Sequence, residues 1–487
     1  MARIRKAPGT PEKKHKKLRI FLLVLAAYLV YAVAGALIPF AIHHEVNPGF
    51  QAAFDRESFY GEGSSDRAAL VVTNEEALNV RLRMISEARE RIVFTNFDIR
   101  DCESSRDIFS ALLDAAERGV EIQILTDGMN GLVSTSRSPI FTALGRMDNV
   151  EFRFHNVPNL FMPWTFNGRM HDKYIIVDDR LLLIGGRNTF DKFIGNYVPD
   201  GKKSHDLEVL VYNTAEDTNN SVIAQVEDYF DLMWTDEHTK THLDRDYAFS
   251  PAADKAAEEL HERYQRWKTA HPALFEGTVD YTSLTVPLDS VTFIHNPTTI
   301  LSKEPWVWWQ IQQFMEGAKE RVVLQTPYAV CDTPMYEGLE RVAGKGIPFE
   351  MQINSTGVGD NFMASSDYIH NKGKVLDTGV TVWEWYGDYS SHGKSVLIDD
   401  DLSLVGSFNM DPRSVYIDTE MMLVFHGAEF NDLLEGYLDS MESGSLQVTG
   451  VDTYAPKSDV QPWDNGDWKH ALFPVTSVLL QPFRFLL

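Results

Sequence analysis

Apolar positions along the chain fall into runs of three kinds. Residues 20–42 form one uncharged stretch of 23 residues, long enough to cross a bilayer as a single helix, which takes roughly 20 apolar residues. Beyond it the pattern alternates between helical and strand periods. ISEARERIVFTNFDIRDC (85–102) and FMEGAKERVVLQTPYAVC (314–331) each read as the end of an amphipathic helix running into a short β-rich stretch. IFSALLDAAERGVEIQILTD (108–127) and YEGLERVAGKGIPFEMQINS (336–355) each show apolar residues at helical spacing, a glycine where a helix stops, and an alternating strand. YIIVDDRLLLIGG (174–186) and SVLIDDDLSLVGS (395–407) each read as two strands joined by a tight acidic turn.

The unit therefore occurs twice, and a repeat of strand, helix and strand predicts an α/β fold of two lobes. Each lobe is expected to be a mixed β-sheet sandwiched by helices, the two related by a pseudo-twofold, after one N-terminal transmembrane helix. The expected partition is a basic tail at 1–19, the anchor at 20–42, a first lobe at 43–285 that includes a charged helical linker, and a second lobe at 286–487 ending in an apolar segment. A chain of 487 residues also exceeds what one hydrophobic core usually organises.

Charge sharpens this picture. Residues 1–19 hold eight Lys and Arg against Glu12, a net of +7, while the whole chain carries a net of −25. The body after residue 19 is thus strongly acidic, which opposes nucleic acid as a ligand over most of its surface. The basic tail is expected to stay cytoplasmic, leaving everything after residue 42 on the far side of a cell membrane crossed once. A cleaved signal peptide is the rival reading, since Ala34-Gly35-Ala36 has the small-x-small form of a cleavage site. Signal h-regions are shorter, about 7–15 residues, which favours an uncleaved anchor. Cys102 and Cys331 are the only cysteines. Free thiols are expected, with a bond across the lobes as the alternative in an exported protein.

Candidate chemistry sits at the start of the two hairpins. RMHDKYIIVDDRLLLIGGRN (169–188) aligns without a gap on SSHGKSVLIDDDLSLVGSFN, which ends at Asn409. His171, Lys173, Asp178, Gly185, Gly186 and Asn188 fall opposite His392, Lys394, Asp399, Gly406, Ser407 and Asn409. On a strand, residues two apart share a face, so each His projects with its Lys. Lysine attracts an anion, and histidine exchanges a proton or attacks phosphorus. Two such pairs brought together, with two asparagine amides, make a phosphate site with a nucleophile and an acid on opposite sides. Asp178 and Asp399 lie in the hairpin turns, about 15 Å along the strand from the His–Lys pair, which favours a structural role.

A duplicated HxKxxxxD followed by GSxN resembles the phospholipase D superfamily, and the resemblance covers nearly the whole chain after the anchor. NGRMHDKYIIVDDRLLLIGGRNTFD, GSFNMDPRSVYIDTEM, the TPY at 326–328 and the apolar final segment are most similar to bacterial cardiolipin synthases of the type C branch. Gly186 stands where the general pattern has Ser, a habit of that branch. The resemblance implies an acidic residue after each GSxN to orient a histidine; aligning HDLEV (205–209) with DTEMM (418–422) nominates Glu208 and Glu420. It further implies two displacements at phosphorus through a phosphohistidine, with His171 as nucleophile, His392 as acid/base, and Lys173, Lys394, Asn188 and Asn409 stabilising charge. It implies no metal and no other cofactor.

The function expected on this basis is a membrane-anchored phosphatidyltransferase that makes cardiolipin from phosphatidylglycerol, with phosphatidylethanolamine as a further phosphatidyl donor. Phospholipase D activity, or an exported phosphodiesterase or nuclease on the same site, is the alternative. A dead lipid-binding scaffold is disfavoured by two complete His, Lys and Asn sets. No protein partner is legible. HTKTH (238–242) reads as a surface helix. FMPWTF (161–166) and PWVWW (305–309) read equally as membrane-interface aromatics or as packing, and Pro474 and Pro482 disfavour a second spanning helix at the C-terminus.

Overall fold

The computed structural model describes residues 11–242, 250–462 and 468–487. Residues 1–10 of the basic tail lie outside the described residues. A helix, α1, runs Pro11–Leu37, and His15–Phe40 is long and apolar enough to span a membrane, its 18-residue apolar window having a mean hydropathy of 2.5 and no buried residue.

Two nine-stranded mixed sheets follow. The first contains β1 (Asp66–Val71), β2 (Arg91–Asn96), β3 (Glu121–Asp127), β4 (Val150–His155), β5 (Tyr174–Val177), β6 (Leu181–Gly185), β8 (Glu208–Asn213), β9 (Thr239–Thr241) and β10 (Val286–Pro287). Its order is β10-β1-β8-β6-β5-β2-β3-β4-β9. The second is built of β11 (Ser290–His295), β12 (Val322–Gln325), β13 (Phe349–Asn354), β14 (Thr381–Trp385), β16 (Ser395–Ile398), β17 (Leu402–Gly406), β18 (Met421–His426), β19 (Ser445–Gly450) and β20 (Thr453–Tyr454). Its order is β11-β18-β17-β16-β12-β13-β14-β19-β20. Reading from β1 and from β11, the two sheets match strand for strand, with β2, β3 and β4 parallel to one another and β12, β13 and β14 likewise.

Alternation along the strands decides which core each residue enters. In β5 and β6, Ile175, Val177, Leu181 and Leu183 face the helices of the first lobe. Ile176, Leu182 and Ile184 face inward, to a cluster that also takes Leu397, Val405, Met421, Leu423 and Phe425 from the second sheet. The two sheets therefore share a central core, which helices Val222–Thr235 and Ala428–Ser443 help to fill through Val226, Phe230, Phe430 and Leu434. Val222–Thr235 falls in the stretch read from sequence as linker. It follows β8 as Ala428–Ser443 follows β18, and it belongs to the repeated unit.

Some local expectations are corrected. HTKTH is no helix: Thr239–Thr241 forms β9, antiparallel to Arg153–His155 at the sheet edge, as its β-branched threonines allow. The His242 ring stacks on Phe154 at 4.3 Å. Trp308 is buried in the core of the second lobe, and Trp306 stacks on Phe50 at 4.6 Å, so PWVWW is packing. Pro474 lies inside a helix, Trp468–Leu479, whose 12 residues are too few to span. Cys102 and Cys331 are free.

Asp178 and Asp399 hold the two hairpins by the same device. Each takes a left-handed φ, 51° and 49°. Asp178 accepts from the backbone N–H groups of Arg89, Glu90 and Arg91 at 2.7, 2.8 and 2.9 Å, and Asp399 accepts from those of Lys319, Glu320 and Arg321. The carboxylate ties the hairpin turn to the start of the neighbouring central strand. Replacing Asp178 by Ala is expected to cost about 2 kcal/mol in urea unfolding, and Asp178→Asn less, because Asn tolerates that φ and keeps one acceptor.

Candidate active site

The lobes meet where the histidine stretches begin. A third, two-stranded sheet joins β7 (Ser204–His205) of the first lobe to β15 (Ser390–Ser391) of the second, in parallel. The next backbone N–H, that of His392, donates to His205 O at 2.7 Å. The reciprocal contact is a bridge between Met170 and Thr419, after which His171 N donates to Thr419 Oγ1 at 2.9 Å. Each histidine is thus placed by the other lobe's chain.

The rings follow the same exchange. His171 Nδ1 lies 2.8 Å from Glu420 Oε1, and His392 Nδ1 lies 2.5 Å from Asp206 Oδ2. Both carboxylates are fully buried and both imidazoles nearly so. A carboxylate on Nδ1 sets the tautomer, leaving Nε2 free to attack or to carry a proton. Lys173 Nζ donates to His171 O at 2.5 Å, and Lys394 Nζ to His392 O. The side-chain oxygens of Asn188 and Asn409 are buried without a hydrogen-bond partner. Rotating either amide presents its NH2 instead, as an anion in the cleft would require.

Glu208 is not the residue at His392. It forms ion pairs with Arg81 Nη2 at 2.5 Å and Arg187 Nε at 3.1 Å, and so lies between two buried guanidinium groups. The sequence alignment is two residues out of register. Gly185 pairs with Glu208 whereas Gly406 pairs with Met422, so Asp206 is the counterpart of Glu420. A shift of two keeps the strand face and moves the side chain about 6.6 Å along it. The usable signal was the β-rich run that starts directly after each acid, LEVLV and MMLVF. Asp172 was also missed. It points opposite to its neighbours His171 and Lys173, into the shared core, and accepts from Tyr229 Oη and Thr419 Oγ1, both at 2.8 Å.

The departure at Gly186 has a steric cause. A Cβ there would sit 2.4 Å from Asp206 Oδ1. In the second lobe the same position is Ser407, whose hydroxyl donates to Glu420, while Ser414 Oγ donates to the other carboxylate oxygen at 2.6 Å. A short carboxylate beside glycine in one lobe replaces a long one beside serine in the other. At Gly185 and Gly406 the neighbouring strand comes close enough to exclude any side chain, since a Cβ would meet Leu207 O at 2.4 Å or Met421 O at 2.1 Å.

Burial dominates the electrostatics. It pushes the His171 imidazole well below its ordinary range, with Lys173 adding to the effect, and lowers that of His392, with Lys394 adding and Asp206 opposing. Lys173 is pushed down to about 7 by burial, and Lys394 is lowered by burial against the pull of Asp206. Glu420 is pushed up to about 7 by burial. Asp206 departs the other way: burial raises it, but Lys394, His392 and Arg187 outweigh burial and hold it below the usual carboxylate range. Two ammonium groups in one buried cleft create a site for an anion, which would relieve their desolvation and mutual repulsion.

The family described as "Cardiolipin synthase, PLD-like domain" matches residues 82–234 and 311–442. Cardiolipin synthase C of Escherichia coli (strain K12) is 24% identical over 477 residues, covering 85% of this chain and 94% of its own length. An uncharacterised protein of Helicobacter pylori (strain J99) is 24% identical over 409 residues, covering 74% of this chain and 76% of its own. Phosphatidylserine synthase of Haemophilus influenzae Rd KW20 has the same fold, with a TM-score of 0.62 at 14% identity over 86% of this chain and 95% of its own.

Gly186→Ser is expected to push Asp206 off His392 and lower kcat/KM about 10- to 100-fold, as is Asp206→Asn. Glu208→Gln should instead lower the melting temperature, because it strands buried arginines. Thermal unfolding and steady-state kinetics on the three variants separate the two roles.

Proposed function

The chain belongs to the phospholipase D-like family of cardiolipin synthase domains, and from that premise we propose that it is a membrane-anchored phosphatidyltransferase that makes cardiolipin with phosphatidylglycerol as acceptor. The observation that carries the reading is the reciprocal pairing of two imidazoles with two carboxylates from opposite lobes, beside two buried lysines. In the first displacement one histidine Nε2 attacks the phosphodiester phosphorus and the other protonates the departing alcohol oxygen. The bond to that oxygen breaks as the bond to nitrogen forms, leaving a phosphatidyl-histidine. In the second, the acid, now neutral, takes the proton of an incoming hydroxyl, whose oxygen displaces the histidine. Lys173, Lys394 and the two asparagine amides balance the charge on the phosphoryl oxygens.

The asymmetry of the carboxylates supports His171 as nucleophile and His392 as acid/base. A nucleophile must be neutral, and the His171 ring lies well below its ordinary range, over a carboxyl pushed up to about 7. A general acid must hold a proton: burial lowers His392 as well, but Asp206, held below the usual carboxylate range, opposes that shift. The basic residues up to Arg19, followed by the apolar part of α1, support an anchor with its N-terminus in the cytoplasm and the body beyond the membrane.

The deciding assay incubates the purified chain with phosphatidylglycerol, alone and with phosphatidylethanolamine, in vesicles with EDTA, and reads lipid products by mass spectrometry. Cardiolipin that requires both His171 and His392, tested as alanine variants, is the expected result, and its response to phosphatidylethanolamine names the donor. Phosphatidic acid without cardiolipin would make the chain a hydrolase, and no lipid turnover would favour a phosphodiesterase.

The site's proton balance gives a second test. A ligand held by protonated Lys173 binds best below about 7 and weakens as pH rises through that value. Glycerophosphoglycerol, a diester whose own charge is fixed over this range, is expected to lose affinity by at most about tenfold per pH unit above it. In calorimetric titrations, Lys173→Gln should flatten that slope.

A further inference from the structure

The stretch from Val157 to Gly168, VPNLFMPWTFNG, contains no charged residue and ends three positions before His171. Its tip stands out from the protein: Leu160 is 66% and Phe161 80% exposed. This loop lies along α1. Tyr28 Oη donates to Leu160 O at 2.9 Å and Tyr31 Oη to Phe161 O at 2.7 Å, and Asn167 Nδ2 donates to Ala36 O at 2.5 Å. Arg19 is the last basic residue before the apolar run. Tyr28 is nine residues further on, about 13 Å along a helix, close to the middle of a hydrocarbon layer about 30 Å thick. If α1 spans the bilayer, the loop tip lies inside it.

The chain's last segment continues the same surface. Arg413 Nη1 donates to Asn167 O at 3.1 Å, its Nε to Leu486 O at 3.0 Å, and its backbone N–H to Leu487 O at 2.9 Å. Helix Trp468–Leu479 packs Phe473 against Phe362. It leaves Leu472, Val475, Val478 and Leu479 exposed on its other side, with Phe483 beyond. A helix that is apolar on both faces and covered by protein on only one requires an apolar medium on the other. Arg484, the one charge in this stretch after residue 470, is paired with Asp367 at 2.9 Å.

We propose that the Val157–Gly168 loop and the Trp468–Leu479 helix are inserted in the leaflet beside α1, forming an acyl-chain portal through which a phospholipid reaches His171 sideways without leaving the bilayer. The occupant is lipid acyl chain, and the proposal rests on the phosphatidyltransferase reading only for the identity of the lipid's headgroup. Water-filled access from the aqueous side is the competing route.

The test uses the full chain in phosphatidylglycerol-containing vesicles, with Cys102→Ser removing the accessible thiol and Cys331 left buried. An environment-sensitive dye is attached at Phe161→Cys, at Val475→Cys, at Leu29→Cys as a report on α1 itself, and at Glu258→Cys as an exposed reference. Quenching by doxyl-labelled lipids and protection from aqueous iodide at 161 and 475, as at 29 and unlike 258, is the expected result. In parallel, phosphatidylglycerol bearing a photoactivatable acyl chain should cross-link to peptides from 157–168 and 471–487. Iodide quenching without doxyl quenching at 161 and 475, in a chain whose residue 29 is protected, would overturn the portal while leaving the anchor. The readout needs no turnover, so protected labels in a chain that turns over no lipid would overturn the proposed activity and leave the portal standing.

Discussion

Everything in this molecule depends on one exchange: the carboxylate that orients each histidine comes from the opposite lobe. A carboxylate on Nδ1 is effective only if its distance and direction are held to a fraction of an ångström. Here the tolerance is met by rigid elements. The parallel pairing of β7 with β15 and the bridge from Met170 to Thr419 carry the backbone across the interface immediately before each histidine. Behind them the two sheets share an apolar core that neither lobe could bury alone. Duplication is therefore a structural requirement, because a single lobe contains a histidine without its carboxylate and a carboxylate without its histidine.

The same exchange governs the charges. The chain is strongly acidic, yet the cleft gathers two lysines, each close behind its histidine, in surroundings that oppose their charge. Burial opposes both ammonium charges and the two repel each other, so an anion between them would relieve both costs. That favours one small anion at this place, inside a body that repels polyanions elsewhere. The pseudo-twofold is broken at the acids themselves. Burial pushes Glu420 up to about 7 even though serine hydroxyls donate to both of its oxygens, while Asp206, pressed against Gly186 and facing Lys394, is held below the usual carboxylate range. Two histidines with the same sequence motif thereby acquire different proton affinities, which is what a nucleophile and an acid need.

The architecture was legible because duplication leaves two independent records of one pattern. Strand alternation, helix period and the turn aspartates agree in both halves, and the strand orders of the two sheets match accordingly. The His, Lys and Asn positions were legible for the same reason. Glu208 was misread because a register error of two preserves strand parity, so no hydrophobic pattern objects, and because the loop before Asp206 is longer than the one before Glu420. Asp172 escaped notice because its partners, Tyr229 and Thr419, are distant in sequence. HTKTH was misread because pairing with β4, a tertiary contact, overrides the local pattern. In each case the missing information was a contact between segments far apart along the chain.

A second asymmetry concerns the medium around each histidine. The approach to His171 is the uncharged loop 157–168 lying along α1, followed by Arg169, and the matching residues before His392, 378–391, carry Asp388 and a Glu384 buried against Lys372. Residues after α1 then cross to the second lobe, where Phe40 and Phe59 enter its core, so the N-terminal segment braces both halves. A phosphodiester between a diacylglycerol and a polar alcohol has the same polarity. On the proposed reading, such a lipid with its acyl chains toward the loop would present its phosphorus to His171 and its leaving alcohol to His392, the assignment proposed from the carboxylates. On the same reading, transfer to a second lipid in preference to water would be a matter of geometry more than of chemistry. The phosphatidyl-histidine would form at the end of the site open to lipid, where acceptor headgroups are concentrated in the membrane plane and bulk water is displaced by acyl chains.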